Sequence, residues 1–189
     1  PGKQYKIKEV KFPTDSSIIS TAVRNTRRRS LLKKEEGYSL DVIKEERIRI
    51  DARLKEKGFF YFNPDYLKVQ VDTTVADHQV DLIVKVKEEA PKLAETPYKI
   101  NKIIVYPNYS IGADSVKTNM DSIKKYNDLT IIDQENLFKP RIFDRALYFK
   151  KEDLYNRTDH NLSLNRLVNL GTFKFVKNQF RVSDTTGNY

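Results

Sequence analysis

The side chains with the widest chemical range in this sequence are two histidines, His78 and His160, and they stand far apart. His78 falls where a tight turn is predicted, and His160 falls in the first turn of a predicted helix beside Asp159. Neither belongs to a His-x-x-x-His pair, the spacing that sets two imidazoles on one helix face, so no metal site is expected. The absence of cysteine removes thiol nucleophiles, disulfides and thiolate metal ligands. Adjacent carboxylates occur at Glu45-Glu46 and Glu88-Glu89, but no sequence feature around them argues for acid–base work. No dinucleotide fingerprint, phosphate-binding loop or Gly-x-Ser-x-Gly turn is present. The expectation is a non-enzymatic chain without a cofactor.

Recognition is the remaining chemistry, and two stretches offer it. Arg24, Arg27, Arg28, Arg29, Lys33 and Lys34 form a basic cluster in a chain whose 35 basic and 26 acidic residues are otherwise interspersed, with a net charge of +9. Such a cluster reads as a solvated turn, as a dock for acidic peptide or lipid headgroups, or as a nucleic-acid footprint. It lacks interleaved aromatics, and no helix-turn-helix, zinc-finger or ribonucleoprotein motif accompanies it, so nucleic acid is the runner-up rather than the expected partner. The second stretch runs from Tyr66 to Thr73, where alternation turns Lys68, Gln70 and Asp72 outward. Lys68, Gln70 and Asp72 read as a solvated face or, if this strand is a sheet edge, as neighbours of a partner strand, in which case Tyr66, Lys68, Gln70 and Asp72 are the candidate partner-binding residues.

The elements that must position these residues follow from pattern and punctuation. A strand is predicted from Tyr5 to Phe12, with a bulge-like slip between Ile7 and Val10, ended by Pro13. Asp15 or Ser16 is expected to cap a helix burying Ile18, Ile19, Ala22 and Val23, which frays into the arginine-rich turn. After Gly37, Ser39 should cap a second helix reaching Lys57, with Ile43, Ile50 and Leu54 inward and Lys44, Glu45, Arg49, Arg53 and Lys55 outward. Gly58 supplies the left-handed conformation with which helices commonly end. A strand is expected from Phe59 to Thr74, with Asn63-Pro64 as a bulge, then a turn at 76–79 and a third strand from Val80 to Lys87. If the helices return the chain to its starting end, strands one and three lie parallel as neighbours, and strand two pairs antiparallel with strand three at the sheet edge.

This order repeats. Leu54, Gly58, Phe60 and Phe62 are matched by Leu167, Gly171, Phe173 and Phe175 about 113 residues later, and Tyr5-Lys6-Ile7 by Tyr98-Lys99-Ile100 about 93 residues later. Gly58, Phe60, Gly171 and Phe173 thus serve as fold markers. Two modules are expected, residues 1–90 and 98–189, joined by a linker at 91–97, with an insertion of about 20 residues within roughly 107–133. The insertion holds a turn and short strand around Tyr126–Asp133. Pro140 should open a short helix with Ile142, Phe143, Ala146 and Leu147. Thr158 or Asp159 should cap a longer helix burying Leu162, Leu164, Leu167 and Val168. A strand from Phe173 to Val182 should follow, and the sequence stops before any third strand of that module. No apolar run is long enough for a membrane-spanning helix, and the chain reads as a piece of a longer protein with targeting and membrane parts elsewhere.

The repeated strand-helix-helix-strand-strand order, with Gly58-Phe59-Phe60, Phe149-Lys150-Lys151-Glu152-Asp153-Leu154-Tyr155 and Leu167-Val168-Asn169-Leu170-Gly171-Thr172-Phe173, resembles POTRA domains. These are the periplasmic modules preceding BamA/TamA-type outer-membrane barrels, and the second motif is similar to bacteroidete-like members. Glu152 stands where glycine is commoner in the family. The resemblance implies an α+β fold of tandem POTRA-like β-α-α-β-β modules, each a small mixed sheet covered by two helices, the second with an insertion and without its last strand. It implies a periplasmic scaffold of an outer-membrane protein assembly factor, attached through a C-terminal barrel. Its partners would be unfolded outer-membrane proteins and accessory lipoproteins, bound by strand addition at a sheet edge. The POTRA region of a two-partner secretion transporter is the alternative within the family.

Overall fold

A computed structural model describes residues 4–108, 123–173 and 175–183 of the 189-residue chain. It divides into two compact units, Pro1–Pro97 and Tyr98–Tyr189.

The first unit runs β1 (Lys6–Lys11), α1 (Ile18–Arg24), α2 (Leu40–Lys55), β2 (Leu67–Ala76) and β3 (Gln79–Val86), with 3-10 turns at Arg27–Arg29 and Pro64–Tyr66. The sheet order is β1-β3-β2, with β1 parallel to β3 and β2 antiparallel to it, which is the topology the sequence predicts. The slip in β1 is a bulge: Ile7 pairs with Val80 and Glu9 with Asp81, so Lys8 is left over. That extra residue brings both Ile7 and Val10 onto the face covered by the helices.

Helix α1 is capped by Ser17, whose Oγ accepts from Ser20 N–H, rather than by Asp15 or Ser16. Asp15 supports the cap instead, accepting from Ser17 N–H, and hydrogen bonding from Ser17 lowers its pKa to about 2. Starting the helix one residue later leaves Ile18 exposed while Ile19 and Val23 are buried. The second helix begins at its predicted cap, Ser39, and buries Ile43, Ile50 and Leu54. It ends at Lys55 rather than Lys57, and Gly58 follows at φ 93°. Arg49 and Lys55 are not on its outer face: they fold against buried Glu46 and Asp51. No strand starts at Phe59. Phe59 and Phe62 instead enter the core from a loop, Phe60 is half-buried, and the strand begins after the Pro64 turn. Proline lacks the N–H a ladder needs, so pairing starts beyond it. In the predicted linker, Lys92–Glu95 form a one-turn helix, α3, whose Ala94 is buried in the first core.

The second unit comprises β4 (Ile103–Val105), β5 (Ile123–Tyr126), β6 (Leu129–Ile132), α4 (Arg141–Ala146) and α5 (Arg157–Asn169). Its sheet has the order β4-β6-β5, with β4 parallel to β6 and β5 antiparallel to β6. The hairpin inside the predicted insertion therefore fills the place beside the first strand that β3 fills in the first unit; residues 109–122 of that insertion lie outside the described residues. The predicted strand at Phe173–Val182 corresponds to β2, and its place beside the central strand is held by β5; its described residues are in no ladder. Phe173, Val176 and Phe180 still pack on the core as loop residues, whereas Phe175, the echo of buried Phe62, is 79% exposed. The first strand of this unit pairs within the sheet only over Ile103–Val105, after the Tyr98-Lys99-Ile100 echo. Asn156, not Thr158 or Asp159, caps α5 by accepting from Asp159 N–H. Ser163 and Leu167 then face inward, and Leu162 and Val168 are exposed. Gly171 takes φ 65° after the helix.

A second repeat emerges from the backbone hydrogen bonds. Glu35 N–H donates to Ile7 O (2.7 Å), Ile7 N–H to Glu36 O (2.9 Å) and Tyr38 N–H to Tyr5 O (2.8 Å). In the second unit Glu152 N–H donates to Ile100 O (2.7 Å), Ile100 N–H to Asp153 O (2.8 Å) and Tyr155 N–H to Tyr98 O (2.9 Å). Glu35 and Glu152 adopt the same left-handed conformation, φ 68° and 69°. Each strip ends at the cap of the long helix, Ser39 or Asn156, so Lys-Lys-Glu-acid-x-Tyr-cap is one device used twice.

Candidate functional site

That strip decides which edge of the first sheet is available. A three-stranded sheet has two edges, and the strip at 35–38 hydrogen-bonds to the outer side of β1 at Tyr5 and Ile7. No comparable cover lies along the outer side of β2 among the described residues. An uncovered strand presents unpaired N–H and C=O groups that an extended chain can complete.

Register shows which groups those are. Leu67 stands opposite Val86 and Asp72 opposite Asp81, and Lys87 N–H donates to Tyr66 O at 2.8 Å. Hydrogen-bonded pairs alternate with non-bonded pairs along an antiparallel ladder, so Tyr66, Lys68, Gln70 and Asp72 bond inward to β3. The N–H and C=O groups of Leu67, Val69 and Val71 point outward. Beyond Asp72 the register slips until Ala76, which limits the regular edge to about six residues.

The predicted partner-binding residues thus divide. Lys68, Gln70 and Asp72 lie on the solvent face of β2, as alternation requires, but their backbone groups are used within the sheet. Tyr66 belongs to the 3-10 turn, and its ring lies 5.9 Å from that of Phe62, so it anchors the start of the strand. The outward backbone of Leu67, Val69 and Val71 was not singled out by side-chain alternation. The two-residue turn at Asp77-His78 carries the missing signal, since such turns place the flanking pair, Ala76 and Gln79, in mutual hydrogen bonding. Counting back by twos gives the parity because the slip between Asp72 and Ala76 inserts two residues, an even number.

The solvent face of this sheet is graded in charge. At one end Lys68 faces Lys85, in the middle Gln70 faces Ile83, and at the other end Asp72, Asp81 and Glu9 form a row. Lys85 Nζ donates to Gln70 Oε1 at 3.4 Å. Lys11 Nζ lies 2.9 Å from Asp81 Oδ2 and 3.3 Å from Glu9, and bonding to Asp81, then to Glu9, raises its pKa. Asp72 accepts from the Thr74 hydroxyl (2.7 Å) and Thr74 N–H (2.9 Å), bonds that hold its carboxyl below the usual range.

The basic cluster is dispersed by the fold. Arg24 turns back to donate to the carbonyls of Pro13 and Asp15, and Lys33 pairs with Glu36 at 3.6 Å. Arg27, Arg28 and Arg29 are exposed on their 3-10 turn, and Lys34 is exposed nearby. Sequence reasoning missed the group that fixes this turn. Glu46 is fully buried and accepts from Ser30 Oγ (2.8 Å), Leu31 N–H (3.0 Å), Arg49 Nε (2.7 Å) and Arg49 Nη2 (2.8 Å). By residue type it looks like any exposed helix carboxylate.

His78 stacks edge-on to Tyr5 in the β2–β3 turn, and His160 lies against Tyr155 and Phe180 in the second unit. Burial, then the positive charge of Arg157, pushes the His160 pKa down. Among the described residues no group of three or more His, Asp or Glu side chains is placed to hold a metal ion. No described helix is long and apolar enough to cross a membrane.

No family model and no curated protein matches the chain. Solved structures do. The chain is similar to POTRA domains 3–5 of BamA from Haemophilus influenzae, with a TM-score of 0.52 and 13% identity, over 94% of this chain and 55% of that one. It is also similar to BamA from Haemophilus ducreyi lacking POTRA domains 1–3, with a TM-score of 0.56 and 12% identity, over 96% of this chain and 27% of that one. The chain thus spans about half or less of either structure. At these identities the likeness is one of fold: small mixed sheets flanked by helices, of POTRA type, in tandem.

Proposed function

We propose that the chain is a periplasmic scaffold region of an outer-membrane protein assembly or insertion factor, and that unfolded barrel proteins dock on it as an added strand along β2. The observation that carries this reading is the asymmetry of the first sheet: the strip at 35–38 covers the start of β1, along Tyr5–Ile7, while among the described residues no segment covers the outward backbone groups of Leu67, Val69 and Val71. Backbone pairing asks little of the partner's sequence, which suits a receptor for many different barrel strands. Accessory lipoproteins are a second class of partner for such edges, and a barrel elsewhere in the same protein would hold the modules at the membrane. The test is fluorescence anisotropy with a labelled strand peptide from an outer-membrane barrel, run beside random duplex DNA across a salt series. Saturable peptide binding with little salt dependence supports the reading. Tight DNA binding with a steep salt slope, and no peptide binding, would replace it with a nucleic-acid role for Arg27–Arg29.

A further inference from the structure

We infer that the charge gradient on β2 selects the direction of the docked strand, so that the edge takes an antiparallel segment of the pattern basic-apolar-x-apolar-acidic. This inference rests on the edge reading above and adds a specificity to it.

The argument starts from parity. An incoming strand hydrogen-bonds to the outward groups of Val69 and Val71, which makes Lys68, Gln70 and Asp72 its non-hydrogen-bonded partners. Side chains approach most closely at such positions, with Cα atoms about 4.5 Å apart against about 5.5 Å at bonded ones. Lys68 and Asp72 therefore come nearer to the new strand than to their opposite numbers on β3. Those opposite numbers carry like charge, Lys85 against Lys68 and Asp81 against Asp72, and like charges directly opposed across strands are destabilising. Lys68 has no ion-pair partner among the described residues, and the buried Oδ1 of Asp81 has no hydrogen-bond donor. An acidic residue beside Lys68 supplies the ion pair it lacks, and a basic residue beside Asp72 adds to the charge of Lys11, which already offsets the acidic end. On the other face, Val69 and Val71 pack on the core and call for apolar partners. Antiparallel pairing is the more stable per residue and fixes the order: basic residue first, acidic residue four positions later.

The test compares two peptides of identical composition, Thr-Lys-Val-Thr-Val-Glu-Thr and its reverse, Thr-Glu-Val-Thr-Val-Lys-Thr, by anisotropy on the whole chain. The wild-type chain should prefer the first by about threefold to tenfold at low salt, from the cross-strand charge pairs. The double variant Lys68→Glu/Asp72→Lys should reverse the preference, and high salt should shrink it in both proteins. Equal affinities, or a preference that survives the double substitution, overturn the gradient and leave the edge reading intact. Failure of both peptides to bind a chain that far-UV circular dichroism shows to be folded overturns the gradient and the edge reading together.

Discussion

Proline substitution can separate the two sides of β2, because the ring deletes one N–H and the register says where that N–H points. At Gln70 it points to β3. Gln70→Pro removes a ladder bond worth about 1 kcal/mol and leaves the Ile83 carbonyl without its donor, at about 1–3 kcal/mol more, for a total of about 2–4 kcal/mol. At Val69 the N–H points to solvent, so Val69→Pro leaves the ladder whole; proline occurs on edge strands in this orientation. The rings of proline and the branches of valine are similar in apolar size, so the cost there is mainly backbone adjustment, about 1 kcal/mol. With urea m-values of about 1–3 kcal/mol/M, a gap of about 2 kcal/mol separates the midpoints by about 1 M. Urea titration followed by circular dichroism measures the gap, and peptide anisotropy on the same samples measures docking. Val69→Pro should stay folded and lose peptide binding. Equal destabilisation by the two substitutions would refute the parity, and a folded Val69→Pro chain with wild-type binding would refute the use of this edge.

Three further outcomes follow from the same geometry. Glu46→Gln breaks a buried ion pair while keeping the shape, and should lower the stability of the first unit by about 3–5 kcal/mol in urea; the double change Glu46→Met/Arg49→Leu should not restore it, because Ser30 Oγ and Leu31 N–H also lose their acceptor. His160 has a folded pKa below its unfolded value near 6.5, so the unfolded chain binds the proton first. Its contribution is present above pH 6.5 and is lost as pH falls through the folded pKa, and His160→Phe should flatten that part of the stability–pH curve of the second unit. Glu152→Gly, at φ 69°, should raise thermal stability by an amount equivalent to about 1 kcal/mol, because glycine enters the left-handed region without the Cβ clash.

How far the fold was legible depends on what each signal needs in order to act. Ser39 and Gly58 act through their own backbone neighbours, so the second helix and its end could be read locally. The order β1-β3-β2 followed from connection geometry and one strand pattern. The Phe173–Val182 pattern failed for a reason outside itself: period-two alternation describes a strand only if a ladder partner is free, and both sides of β6 are taken, by β4 and β5. The aromatics of that segment found the core by side chain alone. Helix α5 was misphased because its cap is Asn156, which brings Ser163 inward to accept from Tyr148 N–H and donate to Asp159 O. For the candidate site, side-chain alternation gave Lys68, Gln70 and Asp72 on the solvent face, while the outward backbone at Leu67, Val69 and Val71 required hydrogen-bond parity. Which edge was open required the strip at 35–38, whose left-handed Glu35 no residue-type preference announces.

The central claim is that the outer backbone of β2 pairs with an extended partner, and backbone-amide nuclear magnetic resonance of the chain reads it directly during titration with an outer-membrane barrel strand peptide. The account predicts that the amides of Val69 and Val71, open to solvent in the free chain, shift and gain exchange protection on binding. Those of Lys68 and Gln70, already bonded to β3, should keep the protection they have. Unchanged Val69 and Val71 amides, with the response concentrated at Arg27–Arg29 or elsewhere, would contradict it.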